Sequence, residues 1–201
     1  MPFSRPLTAL FATASLVLAT LPAHAETRSA IFAGGCFWCV ESDFDKVPGV
    51  LSTTSGYTGG DLQNPTYENH HGHKEAVQIE YDDTKVDYAT LLDVFWHSVD
   101  PTDGGGQFCD RGDAYETAIF TGSPEEKKLA ESTKASAAEA LKQPIVTPIV
   151  AAGTFWPAED YHQDYYTKNS LRYKYYRYAC GRDQRLEELW GADAHKGIPS
   201  H

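Results

Sequence analysis

Positive charge is scarce in this sequence: 17 Lys and Arg stand against 28 Asp and Glu, a formal net charge of −11. Setting aside Arg5, for the reason given below, leaves 16 basic residues (17 − 1) against the same 28 acidic ones. A general nucleic-acid binder needs a basic stripe to displace counterions, so no nucleic-acid partner is expected. Long apolar runs are missing beyond the first 25 residues, so no membrane insertion is expected either. Internal repeats and interdomain linkers are absent, which leaves one ordinary domain over residues 26–201. That domain is expected to work as a monomer.

The first 25 residues read differently. Arg5 precedes an uncharged run from Leu7 to Leu21, and Ala23-His24-Ala25 places small residues where a signal peptidase reads. The pattern predicts a secretory signal peptide over 1–25, cleaved after Ala25, and a mature chain exported to the periplasm or secreted. Cysteine is sparse too, at four: Cys36, Cys39, Cys109 and Cys180. In an exported chain two structural disulfides are the plain reading, and four cysteines allow three pairings. A domain of this size folds without such staples, so chemistry must be weighed as well.

Periodicity outlines the elements. A short strand over 28–33 ends at Gly34-Gly35, and a helix follows over 36–47, with Phe37, Val40, Phe44 and Val47 at helical spacing. Pro48-Gly49 stops it. Strands are expected over 50–57, 75–81, 115–120 and 145–151. A long polar loop fills 59–74. Helices are expected over 88–99, over 124–142 behind a Ser123-Pro124-Glu125-Glu126 start, over 159–168 and over 183–190. The last ten or so residues read as disordered. Helices packed on a mixed sheet in one α/β (α+β) domain follow from this order.

Cys36 stands out. A Gly-Gly pair turns the chain sharply between a strand and a helix, which places Cys36 at the helix start. Free N–H groups and the macrodipole there favour a thiolate, so Cys36 reads as a nucleophile rather than a structural thiol. Cys36-Phe37-Trp38-Cys39 is also a C-x-x-C, and alone it points to a thioredoxin-like disulfide oxidoreductase. Thr147-Pro148 would then supply the proline facing that motif, but more than a hundred residues intervene. A secreted binding domain stapled by two disulfides is the third reading.

The polar segments 56–75 and 100–115 are what those rivals leave without a role. Gly34-Gly35-Cys36-Phe37-Trp38 with Glu41 resembles the signature of A-type peptide-methionine sulfoxide reductases. The resemblance continues through Gly56-Tyr57-Thr58-Gly59-Gly60, Asn64-Pro65-Thr66-Tyr67, Gly72-His73-Lys74-Glu75, Phe95-Trp96, Asp100-Pro101, Gln107 with Asp110 and Gly112, Tyr115, and Pro157-Ala158-Glu159-Asp160-Tyr161-His162-Gln163. It covers roughly residues 28–170 in order. It implies a two-layer sandwich with a mixed sheet, ferredoxin-like in type. It implies thiol-dependent reduction of methionine S-sulfoxide, free or in proteins, without metal or organic cofactor, with electrons from a thioredoxin-like partner. Cys36 would attack the sulfur, and Phe37 and Trp38 would hold the S-methyl group. Glu75 would protonate the oxygen, Tyr67 and Tyr115 would hydrogen-bond it, and Asp110 would be a further polar residue of the pocket.

A sulfoxide oxygen leaves only when protonated, so an acid beside it is required. A glutamate kept neutral by aromatic surroundings can serve at neutral pH. The product is a cysteine sulfenic acid, which a second thiol converts to a disulfide. The chain departs from the resemblance around that second thiol. Cys39 stands where a small residue is usual, Cys109 where asparagine is common, and Glu116 where a basic residue is common. Tyr178-Ala179-Cys180-Gly181-Arg182-Asp183 replaces a glycine-rich tail. Cys180, on a segment expected to swing, is the first choice as the resolving thiol and Cys39 the second. His70, His71 and His73 form the only metal-like cluster. They lack zinc-site spacing and read as a solvated loop, with His73 supporting Glu75.

Overall fold

The computed structural model describes Met1 and residues 26–199, so the predicted signal peptide lies outside the described residues. Strand β1 (Thr27–Ala33) leads through Gly34-Gly35 into helix α1 (Phe37–Phe44), then strands β2 (Val50–Thr58) and β3 (Lys74–Asp82) and helix α2 (Tyr88–Trp96). A small hairpin, β4 (Gly106–Gln107) with β5 (Asp110–Arg111), precedes a 3-10 turn at Asp113–Tyr115. Strand β6 (Ala118–Thr121), helix α3 (Pro124–Leu141) and the short strands β7 (Ile149–Ala151) and β8 (Trp156–Pro157) follow. Helices α4 (Tyr165–Lys168), α5 (Ser170–Ala179) and α6 (Arg182–Trp190) complete the chain with a last 3-10 turn at Gly191–Asp193.

The main sheet runs β7-β6-β1-β3-β2-β8. Its four central strands pair antiparallel, and each of the two β-α-β units leaves room for a strand of the other between its own strands. This is the interleaved order of a ferredoxin-like sheet. Only β6 and β7 pair in parallel, joined by α3 as the crossover.

Side chains alternate across the strands. Ala30 and Phe32 of β1 and Val77, Ile79 and Tyr81 of β3 enter the main core, where Phe37, Val40 and Phe44 of α1 and Leu91, Leu92 and Phe95 of α2 meet them. Ala33, Ala76, Ala118 and Phe120 form a smaller cluster. Glu75 shares its face of β3 with Val77 and Ile79, so the strand aims a carboxyl toward the start of α1. Among the described residues no helix is long and apolar enough to cross a membrane.

The Ser123 helix start acts as the sequence implies, accepting the Glu126 N–H at 3.1 Å, and Asp87 caps α2 by accepting the Thr90 N–H at 2.7 Å. Three expectations are corrected. Tyr115 lies in a turn, not in a strand, because β6 begins only at Ala118. Residues 159–164 are not helical, with turns over 160–164, and the helix there is confined to α4. The C-terminal region is packed through residue 199, with α5 where no helix was expected. Arg177 reaches Asp43 at 2.8 Å and Arg182 donates to the carbonyls of Gly34 and Ser98, both from buried positions. Ile198 is buried in the main core.

Candidate active site

The site is built around the β1–α1 turn. Gly35 has φ +83°, and a Cβ there would sit 2.5 Å from Gln107 Cβ, so the turn needs glycine for its dihedral and its space. Arg182 holds the preceding residue by donating two hydrogen bonds of 3.2 Å to the Gly34 carbonyl. Cys36 follows as the N-cap of α1.

One small cavity of about 50 Å³ is lined by Cys36, Phe37, Trp38, Tyr67, Glu75, Asp110, Tyr115 and Tyr176. Seven of these eight are the nucleophile, acid, hydroxyl, aromatic and polar candidates of the sequence reading. They converge from α1, the 59–73 loop, β3, the hairpin strand β5 and the 3-10 turn. Tyr176 was missed, since it lies on α5, beyond the motifs.

Glu75 is 2 % exposed and accepts the Phe37 N–H at 3.0 Å. Burial pushes its carboxyl up to about 8, only partly offset by that N–H, so it is mostly protonated at neutral pH. Tyr67 and Tyr115 line the cavity together with Glu75. Burial also raises Asp110, against the hydrogen bond of Tyr176 and the charge of Arg182.

The aromatic side is rigid. Trp38 stacks on Tyr165 with centroids 3.8 Å apart, and its Nε1–H donates to His162 Nδ1 at 3.0 Å. Burial holds His162 below its ordinary value, which keeps that nitrogen an acceptor. The Phe37 ring lies 5.0 Å from His162 and 5.9 Å from Tyr57. The Pro157–Gln163 segment braces this wall: Glu159 accepts from the Tyr57 hydroxyl and the Tyr67 N–H, and Gln163 bonds both backbone groups of Ser55.

The thiols differ from expectation. Cys36 is 6 % exposed and Cys39 2 %, both are free, and they belong to one buried cluster. Burial pushes Cys36 well up, with Cys39 and Glu75 adding to it, so the helix start does not by itself yield a Cys36 thiolate in the closed, empty site. Cys39 is lowered to about 7 by the neighbouring Cys36 thiol, against burial and with help from Arg182 and Arg177. Cys180 is not on a swinging segment. It caps α5 and is disulfide-bonded to Cys109, with Cα atoms 4.8 Å apart. The reading with two structural disulfides is therefore wrong: this structure holds one.

His70 stacks on Tyr57. His73 is buried, accepts the Gly60 N–H at 3.2 Å and donates to the Leu62 carbonyl at 2.9 Å. It fixes the 59–74 loop rather than bonding Glu75. The three histidines do not converge on a metal position; among the described residues the one compact set of ligand atoms is Cys109, Asp110 and Cys180. Two of those are spent in the disulfide.

A buried thiol facing a protonated carboxylic acid, with a second thiol in reach, can cleave a bond to oxygen, the two thiols supplying the two electrons and ending as a disulfide. That chemistry defines a thiol-dependent oxidoreductase. Comparison with known proteins narrows the class. Residues 28–194 match the family model described as peptide methionine sulfoxide reductase. Peptide methionine sulfoxide reductase MsrA 2 of Rhizobium meliloti is 55 % identical over 181 residues, 89 % of this chain and 91 % of that protein. The protein of the same name from Caulobacter vibrioides is 52 % identical over 195 residues, 93 % of this chain and 99 % of that one. Methionine sulfoxide reductase A of Corynebacterium diphtheriae superposes with a TM-score of 0.65 at 34 % identity, covering 77 % of this chain and 81 % of its own. The chain belongs to the peptide methionine sulfoxide reductase family, and it is an oxidoreductase that reduces methionine sulfoxide.

Proposed function

We propose that Cys36 is the nucleophile, Glu75 the acid and Cys39 the resolving thiol of a reductase for the S epimer of methionine sulfoxide, free or in proteins. The observation that carries this reading is the buried Glu75 carboxyl, titrating at about 8 in the same cavity as Cys36.

The thiolate of Cys36 attacks the sulfoxide sulfur as Glu75 gives its proton to the oxygen. Tyr67 and Tyr115 donate to that oxygen as charge develops on it. The S-methyl group lies against Phe37 and Trp38. Oxygen passes to Cys36 as sulfenic acid and methionine departs. Cys39, the other free thiol, one helical turn on in the same buried cluster, attacks the Cys36 sulfur. Water leaves, and a Cys36–Cys39 disulfide holds the two oxidising equivalents. Cys180 is the weaker candidate for resolution because its sulfur is engaged with Cys109.

An external dithiol protein of the thioredoxin type must then reduce the disulfide. The proposed chemistry uses no organic cofactor or metal, and a monomer is the proposed working unit. The N-terminal pattern supports export, with the reductant fed from a membrane donor; N-terminal sequencing of the mature protein tests cleavage after Ala25. The decisive assay is turnover of each sulfoxide epimer with dithiothreitol. Reduction of the S epimer alone is expected, and loss of epimer preference would overturn the reading.

A further inference from the structure

Tyr176 is a cavity residue with no part in the chemistry above. It stands on α5, half-buried, with its ring centroid 5.9 Å from that of Trp38 in an edge-to-face arrangement. Its hydroxyl donates to Asp110 Oδ2, and both side chains line the same small cavity as the Cys36 thiol. A phenol has one hydrogen to give, and Asp110 and Cys36 are two acceptors in that cavity.

The placement is built rather than incidental. Cys180, one helical turn after Tyr176, is bonded to Cys109, the neighbour of Asp110. The same two segments are therefore tied twice, once covalently and once through the hydroxyl. Arg177, next to Tyr176, is anchored on Asp43 of α1, which fixes α5 against the helix that carries Cys36.

We infer that Tyr176 is a catalytic residue that passes its hydroxyl hydrogen bond from the Asp110 carboxylate to the Cys36 sulfur when that sulfur ionises. The inference rests on Cys36 being the nucleophile. In the resting site Cys36 is a neutral thiol, and the hydrogen lies toward Asp110. As Cys36 loses its proton, the hydroxyl turns to the new negative charge, and Asp110, already raised by burial, takes up a proton in exchange. No electrons move. One S–H bond breaks, one carboxyl O–H forms, and the net charge of the cavity stays constant. A thiol that would otherwise stay neutral through burial is thereby made available near neutral pH.

The other ionisable groups facing Cys36 are Cys39 on α1, Glu75 on β3, Tyr67 on the 59–73 loop and Tyr115 on the 3-10 turn, with Tyr165 and Tyr173 packed around the two thiols. A pH profile alone would mix their contributions, so the test is a cycle of variants. The rate of Cys36 alkylation by iodoacetamide is followed against pH in the full chain, with Cys36 and Cys39 told apart by tandem mass spectrometry. Tyr176→Phe is expected to raise the Cys36 midpoint by about one pH unit, the size expected for losing a hydrogen bond to a charged group. Alkylation at pH 7 then slows about tenfold. Asp110→Asn frees the hydroxyl for Cys36 and is expected to lower the midpoint. In a Tyr176→Phe background that lowering should shrink to less than half. An unchanged or lowered midpoint in Tyr176→Phe overturns the inference, and so does an Asp110→Asn shift of equal size with and without Tyr176. Alkylation reads thiol ionisation only, so failure of the sulfoxide mechanism would show separately, as turnover surviving in Cys36→Ser.

Discussion

The backbone N–H of Phe37 donates to Glu75 Oε2 at 3.0 Å, so the residue after the proposed nucleophile fixes one oxygen of the proposed acid. The first turn of α1 thereby positions both Cys36 and Glu75. The N-cap residue is the thiol, and the next N–H, one of the free donors at a helix start, holds the carboxyl. With one oxygen occupied as an acceptor, the proton of neutral Glu75 resides on the other.

Glu75→Gln keeps that N–H contact and removes the proton. The chemical step is expected to slow by roughly a hundredfold or more, with much less effect on substrate binding. Single-turnover measurements separate the two. In the wild type the acid is present below about pH 8 and lost above it, so the single-turnover rate should fall as pH rises through that value. The residual rate of the variant should lack this fall. A variant with a normal single-turnover rate would mean that the proton comes from elsewhere.

The same substitution changes the pH dependence of stability in a direction opposite to that of most carboxylates. Glu75 titrates higher folded, at about 8, than its ordinary 4.5, so between those values the folded state binds the extra proton. Stability from this group is full below about 4.5 and declines as pH rises to 8. Glu75→Gln removes the decline. Urea unfolding at pH 8 should find the variant more stable than the wild type by on the order of 2–4 kcal/mol, and at pH 4.5 the two nearly equal. A difference independent of pH would show that Glu75 is ionised throughout.

Peptide mapping after one equivalent of sulfoxide, without reductant, is expected to find Cys36 joined to Cys39 and the Cys109–Cys180 bond intact. Cys39→Ser should then accumulate sulfenic acid at Cys36, trapped by dimedone. Recovery of a Cys36–Cys180 bond would instead make the C-terminal disulfide a participant in resolution.

Cys109 and Cys180 close a loop with a sequence separation of 71. Replacing both by Ser should cost about 3 kcal/mol, within the usual range for loops of that length. Thermal unfolding with and without the pair measures it. An unchanged melting temperature would mean that Arg177 and Arg182 alone hold the C-terminal helices.

Arg182→Lys keeps the charge but loses the fork that spans the Gly34 and Ser98 carbonyls. Leaving those buried acceptors poorly bonded should cost about 2 kcal/mol and lower turnover as the Gly34-Gly35 turn loosens. Full activity with full stability would show that the turn is held by Gly35 and Gln107 without it.

What the sequence determined by itself is what lies in local pattern. The Gly-Gly turn, the N-cap thiol, the strands at 28–33 and 75–81 and the Ser123 helix start were legible because each depends on neighbours a few residues away. The cavity residues from Cys36 to Tyr115 were legible through their motifs. The tertiary structure alone decided the rest. Helix α5 carries no apolar stripe: its buried members are Tyr173 and Arg177, and an arginine reads as surface until Asp43 is found opposite it. Tyr176 and the partner of Cys180 were hidden for the same reason, since Asp110 and Cys109 lie about 70 residues earlier in the chain. The state of Cys36 was hidden as well. A helix start favours a thiolate, but how far burial opposes it depends on what closes the cavity, and that is set by segments brought together only when the sheet and its C-terminal helices pack.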